Sequence, residues 1–408
     1  AAKTVARRES LKYVTFGTSD MTVSELCAGT MTWGSFNGDR DEAFAQLDAL
    51  WAAGVNFVDT AQMYPVAFNY GQTTEQWIGD WLTARHIDRS KIYLATKVNP
   101  AGVGQTKDAA PEKHSFEADT VLEACKGSLE RLQTDYIDLY QLHFPTRYQH
   151  EIFGWATYGS PERFSANRTT SGAADVFESQ VLAVKQLFDL KLIKHWGLSN
   201  ENAYGIAMFC NACDKLGVPR PVSLQNDFSL NNRVIEGDTA EAMHEFNVVG
   251  LPYGILAGGV LTNKYTDPTR AGDRPLAEAR HNARPGFQPR YNNPGSVKAA
   301  AAYAKLAEAW GLTPAEMAIA WARDRWYNTA VISGHTTVEQ VEAWVSAFKL
   351  EPLPEDLLKE IDLIHERFRN PTAAYAAKDH VLTMDVHFEK PTNGEEKQNG
   401  GCPASSSG

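Results

Sequence analysis

Short segments of this chain end on side chains that can hold or move a proton. Phe57-Val58-Asp59-Thr60-Ala61-Gln62-Met63-Tyr64 carries a carboxylate and then a phenol, Leu94-Ala95-Thr96-Lys97 stops on an amine, and Leu139-Tyr140-Gln141-Leu142-His143 stops on an imidazole. Singly, each has a structural explanation: Asp59 could cap a helix, Tyr64 could pack, Lys97 could be solvated and His143 could be satisfied inside a core. Together they are the groups that carbonyl reduction needs. Hydride addition to a carbonyl creates an alkoxide that must gain a proton, and a tyrosine hydroxyl can supply it if its normal pKa of about 10 is lowered. An ammonium at Lys97 favours the phenolate, and a carboxylate at Asp59 keeps that ammonium charged despite burial, so the three form a coupled unit. His143 can orient the carbonyl.

These residues need a frame that brings strand ends to one place. Short β-branched or aromatic runs alternate with amphipathic segments along the chain, the pattern of a parallel sheet wound with helices. Strands are predicted at Leu26–Thr32, Asn56–Thr60, Ile92–Val98, Ile137–His143, His195–Asn200, Ser223–Asp227, Val248–Tyr253 and Ala330–Gly334. Helical periodicity falls between them at Asp41–Ala53, Thr74–Arg85, Glu117–Leu132, Gln180–Leu190, Ala203–Leu216 and Ser296–Trp310. The fold class is therefore α/β, a (β/α)8 TIM barrel, whose active site is assembled at the C-terminal ends of the strands. Two extra helices are predicted at Pro314–Arg325, where Pro314 suits a first turn, and at Glu355–Phe368. Leu11–Leu26 reads as an N-terminal β-hairpin around Gly17-Thr18-Ser19-Asp20 that could plug the barrel floor. The expected domain plan is an extension over 1–10, a barrel over 11–369 and a largely disordered tail over 370–408, where periodicity is lost. Two long irregular stretches, Pro145–Ala174 and Thr266–Pro294, follow strand ends, and loops of that length are commonly functional.

Composition excludes several classes. Of 408 residues, 43% are hydrophobic and 22% charged, ordinary for a soluble globular protein with a large core. A net charge of −11 and the lack of a basic, aromatic-laced run argue against nucleic acid, and no apolar stretch is long enough for a membrane helix. Five scattered cysteines point to a reducing compartment; Cys210-x-x-Cys213 has no second ligand pair and reads as a buried helix face, so no metal is expected. The basic opening Ala1-Ala2-Lys3-Thr4, free of acid until Glu9, fits a trimmed transit peptide of a chloroplast or other organelle. An artificial chain start on a cytoplasmic protein fits it equally.

From about Leu11 to Phe368 the chain resembles the aldo-keto reductase family, close to its Tas-like branch and more distantly the potassium-channel β subunits. The resemblance rests on Gly29-Thr30-Met31-Thr32-Trp33-Gly34, the Asp59 to Tyr64 segment, Ala95-Thr96-Lys97 and Arg131-Leu132-Gln133-Thr134-Asp135-Tyr136-Ile137-Asp138-Leu139-Tyr140-Gln141-Leu142-His143. It continues through Gly197-Leu198-Ser199-Asn200, Gln225 and the segment from Leu251 through Tyr253, Gly254, Leu256 and Leu261 to Tyr265.

The resemblance implies that Asp59, Tyr64, Lys97 and His143 are a catalytic tetrad with Tyr64 as proton donor. It implies NADPH as cofactor, with NADH the alternative. Ser199, Asn200 and Gln225 then hold the nicotinamide carboxamide, Tyr253 stacks on its ring, and Gly29 and Thr30 border the site. Gly254, Leu256, Gly258, Leu261 and Lys264 correspond to the pyrophosphate segment, and Gly334, Thr336 and Gln340 to the adenosine-phosphate segment. There the chain departs from its relatives: it has His335 after Gly334, Ala343 and Trp344 where a Glu-Asn pair is common, and no Arg or Lys over 333–347. Thr336, Thr337 and a loop arginine such as Arg290 could together supply the donors for the additional phosphate, with His335 assisting below neutral pH; a solvated loop charge is the other reading of Arg290. Trp33, Met63, Phe144 and the Pro145–Ala174 loop are expected to favour bulky or aromatic carbonyl compounds. The alternative function is a cofactor-binding regulatory or structural subunit with little turnover, with a protein partner or a homo-oligomer.

Overall fold

A computed structural model describes residues 5–34, 36, 39–65, 73–99, 116–146, 173–272, 275–285 and 287–372. Most of the Pro145–Ala174 loop, the first four residues and the tail from 373 lie outside the described residues.

The chain opens with β1 (Tyr13–Thr15) and β2 (Thr22–Ser24), an antiparallel hairpin with Tyr13 opposite Ser24. Eight parallel strands follow: β3 (Leu26–Gly29), β4 (Phe57–Asp59), β5 (Tyr93–Val98), β6 (Ile137–Leu142), β7 (Ile193–Ser199), β8 (Ser223–Gln225), β9 (Val249–Gly250) and β10 (Val331–Ile332). They form one sheet in the order β10-β3-β4-β5-β6-β7-β8-β9. Its two edges meet where Gly250 bridges Asn328 and the Ile332 N–H donates to the Pro252 carbonyl at 3.0 Å, so the sheet curls into a barrel. Glycine is required at that seam, because a Cβ on residue 250 would lie 2.5 Å from the Asn328 side chain. The hairpin plugs the floor: Phe16, Met21 and Val23 bury among the inward-facing Phe57, Ala95, Leu139 and Leu251. Most strands are shorter than predicted at their C-terminal ends, where polar residues leave the ladder and turn into the loops that build the site.

Helices α1 (Arg40–Ala52), α2 (Thr73–Ala84), α3 (Ala118–Leu132), α4 (Ala173–Asp189), α5 (Ala203–Leu216) and α6 (Asp238–Phe246) wrap the outside. They are followed by the single turn α7 (Arg280–Ala283), then α8 (Pro294–Ala309), α9 (Pro314–Arg323), α10 (Val338–Phe348) and α11 (Glu355–Arg367). Their ends are written in the sequence. The Asn202 side chain accepts from the Gly205 N–H to start α5, and Gly217 ends it with φ +65. This helix turns Ile206, Phe209, Cys210 and Cys213 inward, so the cysteine pair lies on a buried face. Thr313 and Glu316 form a reciprocal capping box on α9 with Pro314 in its first turn, a pairing that favours this start by about 1 kcal/mol per cap. Helix α6, at nine residues, is too short to show a period and was not predicted.

The expected extension over 1–10 is tied to the barrel's end. Arg8 donates its N–H to the Lys349 carbonyl, Glu351 donates to the Ala6 carbonyl at 2.8 Å, and the Arg8 guanidinium pairs with Glu25 at 2.9 Å. At the other end, Thr372 donates to the Asn231 carbonyl and Asn293 to the Pro371 carbonyl. No described helix is long and apolar enough to cross a membrane.

Candidate active site

Strand register gathers the ionisable residues at one end of the barrel. Asp59 ends β4, Lys97 lies on β5 opposite Gln141 of β6, and Ser199 ends β7 opposite Gln225 of β8. The Lys97 Nζ donates to Asp59 Oδ2 at 2.6 Å, to the Thr60 carbonyl at 2.8 Å and to the Tyr64 hydroxyl at 3.4 Å. Gln141 and Gln225 donate to the other Asp59 oxygen at 3.1 and 2.8 Å, so both oxygens of this buried carboxylate are engaged. Gln141 stood inside the quoted strand motif; its polarity in an apolar strand was the signal that it belongs to this network.

Burial pushes the Tyr64 phenol above its ordinary value, and the opposing pull of the Lys97 ammonium does not overcome it. The expected lowering is therefore present as a contribution but not as the outcome, and Tyr64 is a protonated phenol at neutral pH. Burial pulls the Lys97 ammonium down, but Asp59 and Tyr64 outweigh it and hold the group above its normal value. His143 is pulled well below its usual range, by burial first and then by Lys97, so it is a neutral imidazole. Its ring lies 4.1 Å from that of Phe144 with an interplanar angle of 7°, and edge-on to Tyr64 at 5.9 Å.

A cavity of about 1380 Å³ opens over these groups and runs to Gly334, Thr336 and Gln340. Near the ionisable cluster it is walled by Thr30, Met31, Met63 and Phe144. Ser199, Asn200, Gln225 and Tyr253 stand side by side beneath it. Tyr253 donates to Asn200 Oδ1 at 2.7 Å, Asn200 Nδ2 donates to the His143 carbonyl at 2.9 Å, and Ser199 donates to the Gln225 carbonyl at 2.9 Å. Asn200 adopts φ +56, which an asparagine tolerates better than most residues. Gly254, Leu256, Gly258 and Lys264 line the next stretch, while Leu261 is buried behind it. Gly258 and Gly259 both have positive φ, and a Cβ on Gly258 would sit 2.7 Å from the His281 ring. At the far end the Thr336 N–H donates to Gln340 Oε1 at 2.9 Å.

Besides Leu261, two residues, Trp33 and Arg290, fall outside the cavity wall, and a third, His335, lines it without the expected charge. Trp33 is fully buried outside the cavity wall, its indole N–H donating to Gln46 at 2.9 Å. The His335 Nδ1 lies 2.7 Å from the same Gln46 oxygen, and burial pushes this imidazole down to about 4, so it is uncharged just below neutral pH. Arg290 is not a free loop cation: its guanidinium is buried and donates to Asp227 at 3.0 Å. The cavity is instead lined by Arg280 and Arg284, whose guanidinium carbons lie 5.1 and 4.8 Å from the Phe36 ring centre. Arg280 donates to Gln288 at 3.3 Å and has no carboxylate partner among the described residues. Among those residues, no three acidic, histidine or cysteine side chains are grouped to hold a metal ion.

A barrel with this strand-end cluster defines a class, and the profile of the Aldo/keto reductase family matches residues 25–366; the chain belongs to that family. It is an oxidoreductase of small carbonyl compounds. The protein named Protein tas of Escherichia coli (strain K12) is 36% identical over 355 residues, 86% of this chain and 97% of that one. An aldo-keto reductase of Babesia bovis is 30% identical over 69% of this chain and 98% of its own length. A protein of Oryza sativa subsp. japonica described as a probable voltage-gated potassium channel subunit beta is 24% identical over 90% of this chain and all of its own.

Proposed function

We propose that this protein reduces an aldehyde or ketone to an alcohol with NADPH, and that Tyr64 gives the proton. The observation that carries this reading is the Tyr64 hydroxyl at the cavity floor, kept protonated by burial and placed 3.4 Å from an ammonium that Asp59 holds charged. A bound nicotinamide dinucleotide would supply the hydride. The residues present fit such a group: the cavity exceeds the roughly 300–1,000 Å³ of ordinary small-ligand sites, and its walls change character along its length. At the floor, Ser199, Asn200 and Gln225 offer amide and hydroxyl groups, and Tyr253 offers a flat ring fixed through Asn200. Farther along, the backbone of the glycine turn and the Lys264 side chain line the cavity and suit a pyrophosphate. At the far end Arg280, Arg284 and Thr336 are the groups for an additional phosphate. Arg280 has no carboxylate partner among the described residues, and a partly desolvated guanidinium of that kind is costly to keep, so a phosphate would neutralise it.

The neutral His143 ring orients the carbonyl oxygen toward Tyr64, which donates its proton as the alkoxide forms. Lys97 stabilises the phenolate that remains. Met31, Met63 and Phe144 give the substrate end an apolar and aromatic wall, which supports bulky or aromatic carbonyl substrates. Tyr64→Phe tests the assignment. Single-turnover reduction of a good aromatic aldehyde should fall by the 10²–10⁴-fold typical of lost general acid catalysis, while NADPH affinity stays near parental. Reduction at the parental rate would refute Tyr64 as donor. Tight NADPH binding by the parent with no turnover on any aldehyde or ketone would establish the alternative, a cofactor-binding subunit.

A further inference from the structure

After β9 the chain leaves the barrel at Gly254 and returns at Tyr291, and between them it carries Leu256, Gly258, Lys264 and Arg280 into the cavity wall. The feet of this excursion are joined to each other, and Gly254 and Tyr291 themselves line the cavity. Asp227, two residues beyond Gln225, receives the Arg290 Nε–H at 3.0 Å, and the same guanidinium donates to the Tyr291 hydroxyl at 2.9 Å. All three side chains are buried. Gly254 has φ +77, and a Cβ there would lie 2.5 Å from Asp227 Oδ1 and 2.6 Å from the Tyr291 hydroxyl. The carboxylate and phenol thus abut the residue that follows Tyr253. Tyr253 itself is stitched to the same strand end, donating to the Asn226 carbonyl at 3.0 Å and accepting from the Phe228 N–H at 2.9 Å. The Arg290 carbonyl accepts from Asn293, the cap of α8, so the return foot is fixed on both sides.

A buried ion pair stabilises a fold less well than apolar packing of the same volume, but its hydrogen bonds fix direction. Here the direction fixed is that of Tyr253 and of the excursion's two ends. We infer that Asp227, Arg290 and Tyr291 form a positioning latch that holds the Tyr253 ring and the excursion over the cavity, and so sets how long the cofactor stays bound. This rests on the cofactor reading above. None of the three touches the reacting atoms, so the latch acts on residence time and not on the chemical step.

The test uses the full chain with Asp227→Asn, which keeps an acceptor but removes the charge, and Arg290→Lys, which keeps the charge but loses the second donor arm. Stopped-flow release of NADPH should accelerate by about tenfold or more in both variants, the scale of a lost charge-assisted hydrogen bond. Single-turnover hydride transfer at saturating NADPH should be unchanged, a split that simple destabilisation does not produce. Unchanged release in two folded variants overturns the latch. Failure of both variants to fold also overturns it, making the network a fold determinant. A parent that binds neither NADPH nor NADH removes the cofactor reading itself, and the latch falls with it; the parent titration separates that outcome from the others.

Discussion

Arg280→Gln offers a measurement with two independent readouts. The Arg280 guanidinium lines the cavity, donates to Gln288 at 3.3 Å, and faces no carboxylate among the described residues, while burial lowers its affinity for its own proton. Its charge is therefore unquenched. If it meets the additional phosphate of NADPH, removing it forfeits one charge-assisted interaction of about 1.5–3 kcal/mol, or roughly 10–150-fold in Kd. NADH lacks that phosphate and should bind with parental affinity. Stability should respond in the opposite way, because deleting an unpaired, partly buried cation removes a desolvation cost and leaves no orphaned anion behind. Fluorescence titration of both cofactors and a thermal melt of the apo-protein decide the matter. Equal weakening for NADPH and NADH, or a melting temperature lowered by several degrees, would refute the reasoning and return Arg280 to a structural role. The contrast with Arg290 is direct: removing that residue strands the buried Asp227 carboxylate.

Two further outcomes follow from the ionisable groups. Lys97→Met should slow carbonyl reduction and shift the alkaline limb of the pH–rate profile upward, because burial already raises the Tyr64 phenol and only Lys97 opposes it strongly; an unmoved limb contradicts the coupling. The His335 imidazole is held down to about 4 against 6.5 in the unfolded chain. Below pH 6.5 the unfolded chain takes up a proton that the folded one refuses, so stability present above that pH is lost as pH falls toward 4. His335→Gln should shrink the stability difference between pH 7 and pH 4 by about 3 kcal/mol in urea titrations. An identical difference in parent and variant would rule this out.

What the sequence revealed and what it hid divide along physical lines. The strands were legible because most carry apolar residues buried on both faces, and the polar residues that close those runs meet at one mouth because parallel strands all point the same way. Pro314 in the first turn of α9 was equally local. Pairing across the molecule was not. Arg290 and Arg280 look alike in the sequence, and only the fold shows that one is matched to Asp227, 63 residues away, while the other meets no carboxylate among the described residues. The direction in which Trp33 points depended on Gln46 of α1. For Tyr64, the sequence supplied the sign of the neighbouring charge but not the depth of burial, and depth decided the balance.

The seam of the barrel carries a consequence for biosynthesis. Strand β3, with the hairpin below it, leaves the ribosome long before its outer neighbour β10 at Val331–Ile332, and Arg8 bonds to the Phe348 carbonyl 340 positions later. Until the final tenth or so of the described chain has emerged, a nascent molecule holds an open sheet with exposed strand edges at both ends, the kind of edge that invites intermolecular pairing. Closure is thus a late, long-range event, and premature termination before residue 331 yields a chain that cannot hide its first strand.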